Sequence, residues 1–454
     1  MAELLLKAGT ILTMDPDLRV ITGGGVRISS GRIAAILGAA EFAAEIRTRG
    51  RGSEFLDFPD AVLLPGFIQT HVHLCQTLFR GLADDLPLLD WLRLRIFPFE
   101  AAHDPASMRA SARVGVAELI GSGTTTIMDM GSIRHEEEIV RVLDESGMRA
   151  FVGKAMMDLN ESYPRLKEPT AEALRSVREQ AALWHGSSGG RIMYAVAPRF
   201  ILSCTDRLLR EAAAITAEFP GMLFHTHAAE NRSELAAVHD RCGMGTIAYF
   251  EHLGVLRGNT CLAHCIWLQD EELGLLAERK SAVLHCPSSN LKLGSGIARV
   301  PEMLKRGISV SLGADGAPCN NRLDMFEEMR LAALIQKPAA GPAAVTAGEI
   351  LRMATNGGAR ALGLESEIGT IEKGKKADLL LLDLRKPWVP LDPRTPEDWY
   401  SAIVYSATPA NVHSVMADGE WLFRDGRHLR LDPEEATREA RTQLQRHLQR
   451  AEWN

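Results

Sequence analysis

The sequence predicts an α/β fold: a (β/α)8 TIM-like barrel with a small β-sandwich domain assembled from both chain ends. Three observations lead there. From about residue 60 to about residue 355, eight brief β-rich apolar runs alternate with helical stretches, the arithmetic of eight βα units. Both ends of the chain instead alternate short strands with turns. Histidines and acids recur where the apolar runs end, on the face where a barrel gathers its reactive groups.

At the amino end, Leu4-Leu5-Leu6, Ile11-Leu12 and Val26-Arg27-Ile28 are separated by glycines, and Ser29-Ser30-Gly31 reads as a hairpin turn into Arg32 to Ile36. The same texture returns in Ala377 to Leu382, Val412 to Met416 and Trp421-Leu422-Phe423, so the two ends are expected to form one β-domain. The barrel runs are Val62 to Leu64, Thr124 to Met128, Ala150 to Val152, Ile192 to Val196, Met222 to Phe224, Thr260 to Leu262, Ala282 to Leu284 and Ile308 to Leu312. Helical patterns between them include Ala106 to Ile120, Glu136 to Ser146, Ala171 to Trp184 and Pro301 to Lys305. An open doubly wound sheet would want a Gly-x-Gly-x-x-Gly turn after its first strand, and none occurs. The tail from Pro433 to Gln449 reads as a polar, alternately charged helix, solvated or docking, with no chemistry. The expected division is therefore 1–59 and 361–430 for the two parts of the β-sandwich, 60–360 for the barrel and 431–454 for the C-terminal helix.

Composition narrows the partners. The 454 residues carry 51 Lys+Arg against 58 Asp+Glu, a net charge of −7, which argues against a nucleic-acid polymer as partner. No apolar run approaches the roughly 20 residues of a membrane span, and the start Met1-Ala2-Glu3-Leu4 has no leader pattern. Seven cysteines without a Cys-x-x-Cys pair fit reduced thiols in a cytoplasm.

The chemistry lies at the run ends. His71 and His73 are two apart in a strand, so they point the same way and can share one metal ion. Later runs end in His225-Thr226-His227-Ala228-Ala229-Glu230, in Ala263-His264-Cys265, in His285-Cys286-Pro287 and in Gly313-Ala314-Asp315-Gly316. One His-x-His pair is a weak signal; four of eight run ends carrying histidine, with an aspartate on the last, is a strong one.

The set Pro65-Gly66-Phe67-x-x-x-His71-x-His73, His227-x-x-Glu230, His264 and Gly313-x-Asp315-Gly316 resembles the amidohydrolase superfamily, in its branch of aminohydrolases acting on purines, pterins and triazines. Within that branch Trp91, Glu100, Ser288-Ser289-Asn290-Leu291-Lys292-Leu293 and Asp315-Gly316-Ala317-Pro318-x-Asn320-Asn321 are most similar to deaminases of 5′-modified adenosines. The resemblance implies that His71, His73, His227 and Asp315 bind one divalent metal, Zn2+, leaving a position open for water. It implies Asp315 as the base, Glu230 as the proton shuttle to a ring nitrogen and His264 as the group steadying the attacking oxygen. The fourth run, Arg191 to Phe200, has no lysine to bridge a second metal, so one metal per chain is expected. Expected substrate contacts are Gln76 to a base edge, Trp91 as a wall, Glu100 to ribose hydroxyls, Arg165, and Arg199. The four cysteines near the site, 75, 265, 286 and 319, are expected to be buried fillers, and family members are commonly homo-oligomers.

One departure stands out. Deaminases of nucleosides usually carry a histidine where this chain has Arg199, in Ala197-Pro198-Arg199-Phe200; an arginine there, with Gln76, is similar to guanine deaminases. The expectation is thus a zinc-dependent deaminase of 5′-deoxyadenosine, 5′-methylthioadenosine or S-adenosylhomocysteine. The alternatives are a deaminase of a free purine or pterin, such as guanine or 8-oxoguanine, and a triazine chlorohydrolase. A non-catalytic binding subunit would have lost ligands, and here none is missing.

Overall fold

The computed structural model describes residues 3–48, 53–385 and 391–452. Eight parallel strands build the barrel: β1 (Phe67–His73), β2 (Thr124–Asp129), β3 (Arg149–Val152), β4 (Ile192–Pro198), β5 (Leu223–Ala228), β6 (Thr260–His264), β7 (Ala282–His285) and β8 (Val310–Leu312). They pair in chain order, each parallel to the next, with registers such as Thr126 to Arg149, Phe224 to Thr260 and Val283 to Val310. Three residues after the end of β8, Asp315–Gly316 pairs with Val72 and His73 of β1. The run that borders one edge of the sheet therefore closes onto the other edge, and Asp315 is delivered beside His71 and His73.

These strands are buried along nearly their whole length, which is why they read as continuous apolar runs and not as alternating patterns. Ile68, Met128, Phe151, Ala195 and Leu284 pack together inside the barrel with Ala359 and Leu362 of the following segment. The helices cover the outside. Glu136–Ser146 begins with three acids at its positive end and stops at Gly147, whose φ of 80° is the left-handed conformation a helix stop favours. Pro105–Gly121 is capped by Asp104, which accepts from the Ser107 amide at 2.8 Å.

The two ends do meet. Leu4–Leu12, Glu54–Pro65 and Leu379–Asp383 are central strands of one continuous nine-stranded sheet that also holds 25–37 and 412–428. Its core joins Leu6, Val26 and Ile33 to Leu379, Leu381 and Met416. Val62 to Leu64, read as the first barrel run, belongs to this sheet: they face Leu382 to Leu380 in antiparallel register, and the first barrel strand starts at Phe67. The chain changes sheets at Gly66, where any Cβ would lie 2.2 Å from the Thr125 side chain.

The C-terminal helix, Pro433–Arg450, docks on Pro105–Gly121. Arg113 pairs with Glu439 at 2.7 Å and Glu435 at 3.1 Å, and Arg450 donates to the Ala102 carbonyl at 3.0 Å. Among the described residues no helix is long and apolar enough to cross a membrane.

Candidate active site

His71 and His73 leave β1 on one face, His227 stands at the end of β5, and Asp315 follows β8. One ligand atom from each of the four lies within 4.8 Å of all the others. Asp315 Oδ1 is 3.3 Å from both His71 Nε2 and His73 Nε2, and His73 Nε2 is 3.2 Å from His227 Nε2. The backbone bends sharply to achieve this. Ala229, His264, Cys265 and Asp315 all have positive φ, between 49° and 72°, a strain that collects where geometry matters to function.

Each ligand is held from behind. His71 Nδ1 lies 2.8 Å from His225 Nε2, and His227 Nδ1 lies 2.8 Å from the Arg199 carbonyl oxygen, which only an Nδ1–H can satisfy. That tautomer leaves Nε2 of His227 as a lone pair, as a metal ligand requires. Ser289 Oγ donates to Asp315 Oδ2 at 2.6 Å and the Gly316 amide to Oδ1 at 2.8 Å. Burial pushes His71, His73 and His227 below the ordinary imidazole range, so they are neutral. Burial opposes ionisation of Asp315 too, but the facing imidazole of His71, then those of His264 and His73, hold its carboxyl well below the usual carboxylate range. Nε2 of His71 is buried without a hydrogen-bond partner. Three neutral imidazoles and one carboxylate converging on a single point, with an orphaned ring nitrogen among them, fit one divalent cation of the zinc type.

Glu230 and His264 sit over this cluster. His264 Nε2 is 3.5 Å from Glu230 Oε2 and 3.8 Å from Asp315 Oδ2, and it too is buried without a hydrogen-bond partner. Its Nδ1 lies 2.8 Å from Asn290 Oδ1. Burial, then the neighbouring charges of Asp315 and Glu234, push the Glu230 carboxyl well above its usual range, which favours its protonated form. Its backbone amide is anchored at 2.7 Å on Glu234, the acid of an Asn231-x-x-Glu234 capping box.

A narrow cavity opens onto this cluster, walled by His73, Gln76, Trp91, Arg199, His227, Glu230, His264 and Asp315. Glu100 lies behind that wall: its Oε1 accepts from Gln76 Nε2 at 2.8 Å and its Oε2 from Arg199 Nη1 at 2.7 Å. The features similar to two different kinds of deaminase are thus one network. Gln76 Oε1 packs against the Cα of Gly316, where any Cβ would come within 2.1 Å of it. The indole Nε1 of Trp91 is buried and unpartnered. Arg165 is not brought to this cavity: it is half exposed and pairs with Glu452 at 2.9 Å. Burial raises the thiols of Cys75, Cys265, Cys286 and Cys319, which are neutral buried fillers.

Sequence reasoning missed two supports. Asp129, at the end of β2, accepts from the Leu74 amide at 2.7 Å and the Gly131 amide at 2.8 Å, fixing the chain just beyond His73. Glu328 accepts from Ser288 Oγ at 2.5 Å and Asn320 Nδ2 at 2.7 Å, tying the Ser288-Ser289-Asn290 turn to the segment after Asp315. No local pattern marks either acid.

The comparisons agree with this geometry. The chain is 40% identical over 424 residues to a 5′-deoxyadenosine deaminase of Methanothermobacter thermautotrophicus, covering 92% of this chain and 94% of that protein. It is 38% identical over 448 residues to a 5-methylthioadenosine/S-adenosylhomocysteine deaminase of Syntrophobacter fumaroxidans, covering 97% of each. The crystal structure of an adenosine deaminase from Xanthomonas campestris with bound zinc superposes with a TM-score of 0.88 at 30% identity, over 99% of both chains. The model of the amidohydrolase family matches residues 62–422, and with relatives this similar over nearly the full length, the chain belongs to the amidohydrolase family.

Proposed function

We propose that the protein is a zinc-dependent hydrolytic deaminase of a 5′-modified adenosine, converting it with water to the inosine analogue and ammonia. The observation that carries this reading is the buried Glu230 carboxyl and the unpartnered His264 Nε2 facing a four-ligand metal cluster in one cavity. The names of the similar deaminases point the same way.

His71, His73, His227 and Asp315 would hold the zinc, which when bound supplies a Lewis acid that lowers the pKa of water. The ionised Asp315 takes a proton from the attacking water. Glu230 gives its proton to the ring nitrogen next to the amino-bearing carbon, which makes that carbon the better electrophile. His264, held through Nδ1 by Asn290, offers Nε2 to the oxygen that adds to the ring. Asp315 passes the proton it took from water to the amino group, which leaves as ammonia, while the adduct's hydroxyl proton returns to Glu230 as the ring carbonyl forms. Gln76, Glu100 and Arg199 bind the sugar side: each Glu100 oxygen spends one lone pair inside the network and keeps a second for a ribose hydroxyl. Trp91 walls the cavity opposite.

A panel scoring ammonia release tests the reading: 5′-deoxyadenosine, 5′-methylthioadenosine, S-adenosylhomocysteine, adenine, guanine and a pterin. The 5′-modified adenosines should lead. One observation favours a free purine or pterin instead, namely that Gln76 and Arg199 line the cavity while Glu100 lies behind them; guanine leading the panel would establish that second reading.

A further inference from the structure

Among the described residues, the C-terminal helix Pro433–Arg450 contributes no wall to the cavity at the metal cluster, yet its buried face packs on the two short elements that carry the cavity's polar network. Gln76 belongs to the 3-10 helix Leu74–Phe79, directly after His73, and Glu100 belongs to the helix Phe97–Ala101. Toward the cavity the two elements are joined by the Gln76–Glu100 hydrogen bond of 2.8 Å, and the Arg199 guanidinium lies over the Phe97 ring, 5.5 Å from its centroid. Toward the C-terminal helix the same two elements meet through Phe79 and Phe99, whose ring centroids are 4.9 Å apart.

His447 of the C-terminal helix meets both rings. Its fully buried imidazole lies 5.1 Å from Phe79, 6.3 Å from Phe99 and 4.6 Å from His103, centroid to centroid. His103 in turn ties the two elements together: its Nε2–H donates to the Cys75 carbonyl at 2.7 Å, one residue before Gln76. Burial holds His447 down at about 4 and His103 well below the ordinary imidazole range, so the rings pack without charge. Three residues further on, Arg450 donates to the Ala102 carbonyl at 3.0 Å and to Ser107 Oγ at 3.2 Å, and it pairs with Asp104 at 3.1 Å. The segment that leaves Glu100 is thus gripped at Ala102, His103 and Asp104 by two residues on one helix face.

We propose that His447 and Arg450 are positioning residues for the substrate: through them the C-terminal helix fixes the spacing between Gln76 and Glu100, and with it the shape of the network that receives the substrate. The proposal rests on the reading above in which Gln76, Glu100 and Arg199 bind substrate. The metal cluster has supports of its own in His225, the Arg199 carbonyl and Ser289, so the helix acts on affinity and leaves the metal alone. A loosened network still contains all its groups, and the loss falls on binding rather than on the chemical step.

The test measures kcat, KM and zinc content for His447→Ala, His447→Phe, Arg450→Ala and Arg113→Ala, using the substrate that leads the ammonia-release panel. The Arg450 side chain is 35% exposed, so its loss leaves the core intact. Arg113 is the control, because it anchors the same helix through Glu435 and Glu439, about two turns before His447. KM should rise about tenfold or more in His447→Ala, within the roughly 10²-fold that a misplacement of about 1 Å far from the chemistry can cost. It should rise by less in Arg450→Ala, with kcat and zinc content at wild-type levels in both. His447→Phe restores a buried ring and should return KM toward the wild-type value, while Arg113→Ala should lower the denaturation midpoint at unchanged KM. KM unmoved in both His447→Ala and Arg450→Ala, or raised as much in Arg113→Ala, overturns the positioning role and leaves the deaminase reading standing. Wild-type protein that releases ammonia from no member of the panel removes the deaminase reading, and the positioning role with it.

Discussion

The guanidinium of Arg199 donates to the carboxylate of Glu100 across 2.7 Å in a pair with each side chain no more than 4% exposed. The same arginine's backbone carbonyl accepts from the Nδ1–H of the metal-cluster residue His227 at 2.8 Å. One residue therefore joins the metal cluster to the Glu100–Gln76 network through a single peptide unit.

Removing that guanidinium should be costly. Arg199→Ala leaves the Glu100 carboxylate buried with only Gln76 as partner, and breaking a buried pair from one side typically costs about 3–5 kcal/mol. The expected outcome is a lowered denaturation midpoint together with a raised KM for nucleosides, while the metal content stays at the wild-type level because the His227 contact is to the backbone. Arg199→Lys should recover part of the stability and less of the KM, since an ammonium lacks the planar fork. A variant with wild-type stability and KM would remove the pair from both roles.

The metal cluster predicts about one zinc per chain in purified protein by elemental analysis. His227→Ala should lose the ion while retaining the fold, read by circular dichroism. Ser289→Ala should weaken retention about 10- to 100-fold, the usual effect of removing a group that orients a ligand, because Asp315 Oδ2 then loses its 2.6 Å donor. Two tightly held ions per chain, or full activity without metal, would contradict the assignment.

Much of this site was legible in the residues, for physical reasons. The two-residue period of a strand puts His71 and His73 on one face, and the Glu136–Ser146 helix could be bounded from its acids and its terminal Gly147. What stayed hidden depends on contacts distant in sequence. Glu100 and Arg199 are 99 residues apart, so their pairing left no local trace and looked like two conflicting signatures. Val62 to Leu64 read as a barrel strand because an apolar run does not say which sheet it enters; its pairing with Leu382 to Leu380, more than 300 residues on, decides that. Arg165 resembled a substrate arginine by local context, but its exposure and its pairing with Glu452 are matters of docking between distant segments.

Glu230→Gln tests the proton shuttle. The amide is close in size, cannot donate an acidic proton, and leaves the backbone amide on Glu234 in place. Metal content should be unchanged and kcat should fall by roughly 10² to 10⁴, the range for loss of general acid–base catalysis. Near wild-type turnover would exclude Glu230 from the reaction.

Away from the metal, Glu136 carries a prediction about stability and pH. Its carboxyl is buried at the start of Glu136–Ser146, and Oε2 accepts from the Tyr194 hydroxyl at 2.9 Å while Oε1 has no partner. Burial pushes its pKa up from 4.5 to about 8, and the Tyr194 hydrogen bond and the Lys154 charge offset only part of that. The folded protein thus keeps a proton that the unfolded chain releases above pH 4.5. The associated stability is complete below that value, declines as pH rises through the window to about 8, and is gone above it. At about 1.4 kcal/mol per unit, the group can account for a loss on the order of 5 kcal/mol across the window. Asp129, raised to about 7, and Glu328, raised to about 8, act in the same direction. Glutamine at position 136 stays neutral at every pH and can still accept from Tyr194. The urea midpoint of wild-type protein should therefore fall between about pH 6 and about pH 8.5 more steeply than that of Glu136→Gln. Both proteins carry the same metal site and the same two other acids, so the difference between their slopes isolates Glu136. Parallel slopes would mean that Glu136 is ionised in the folded protein.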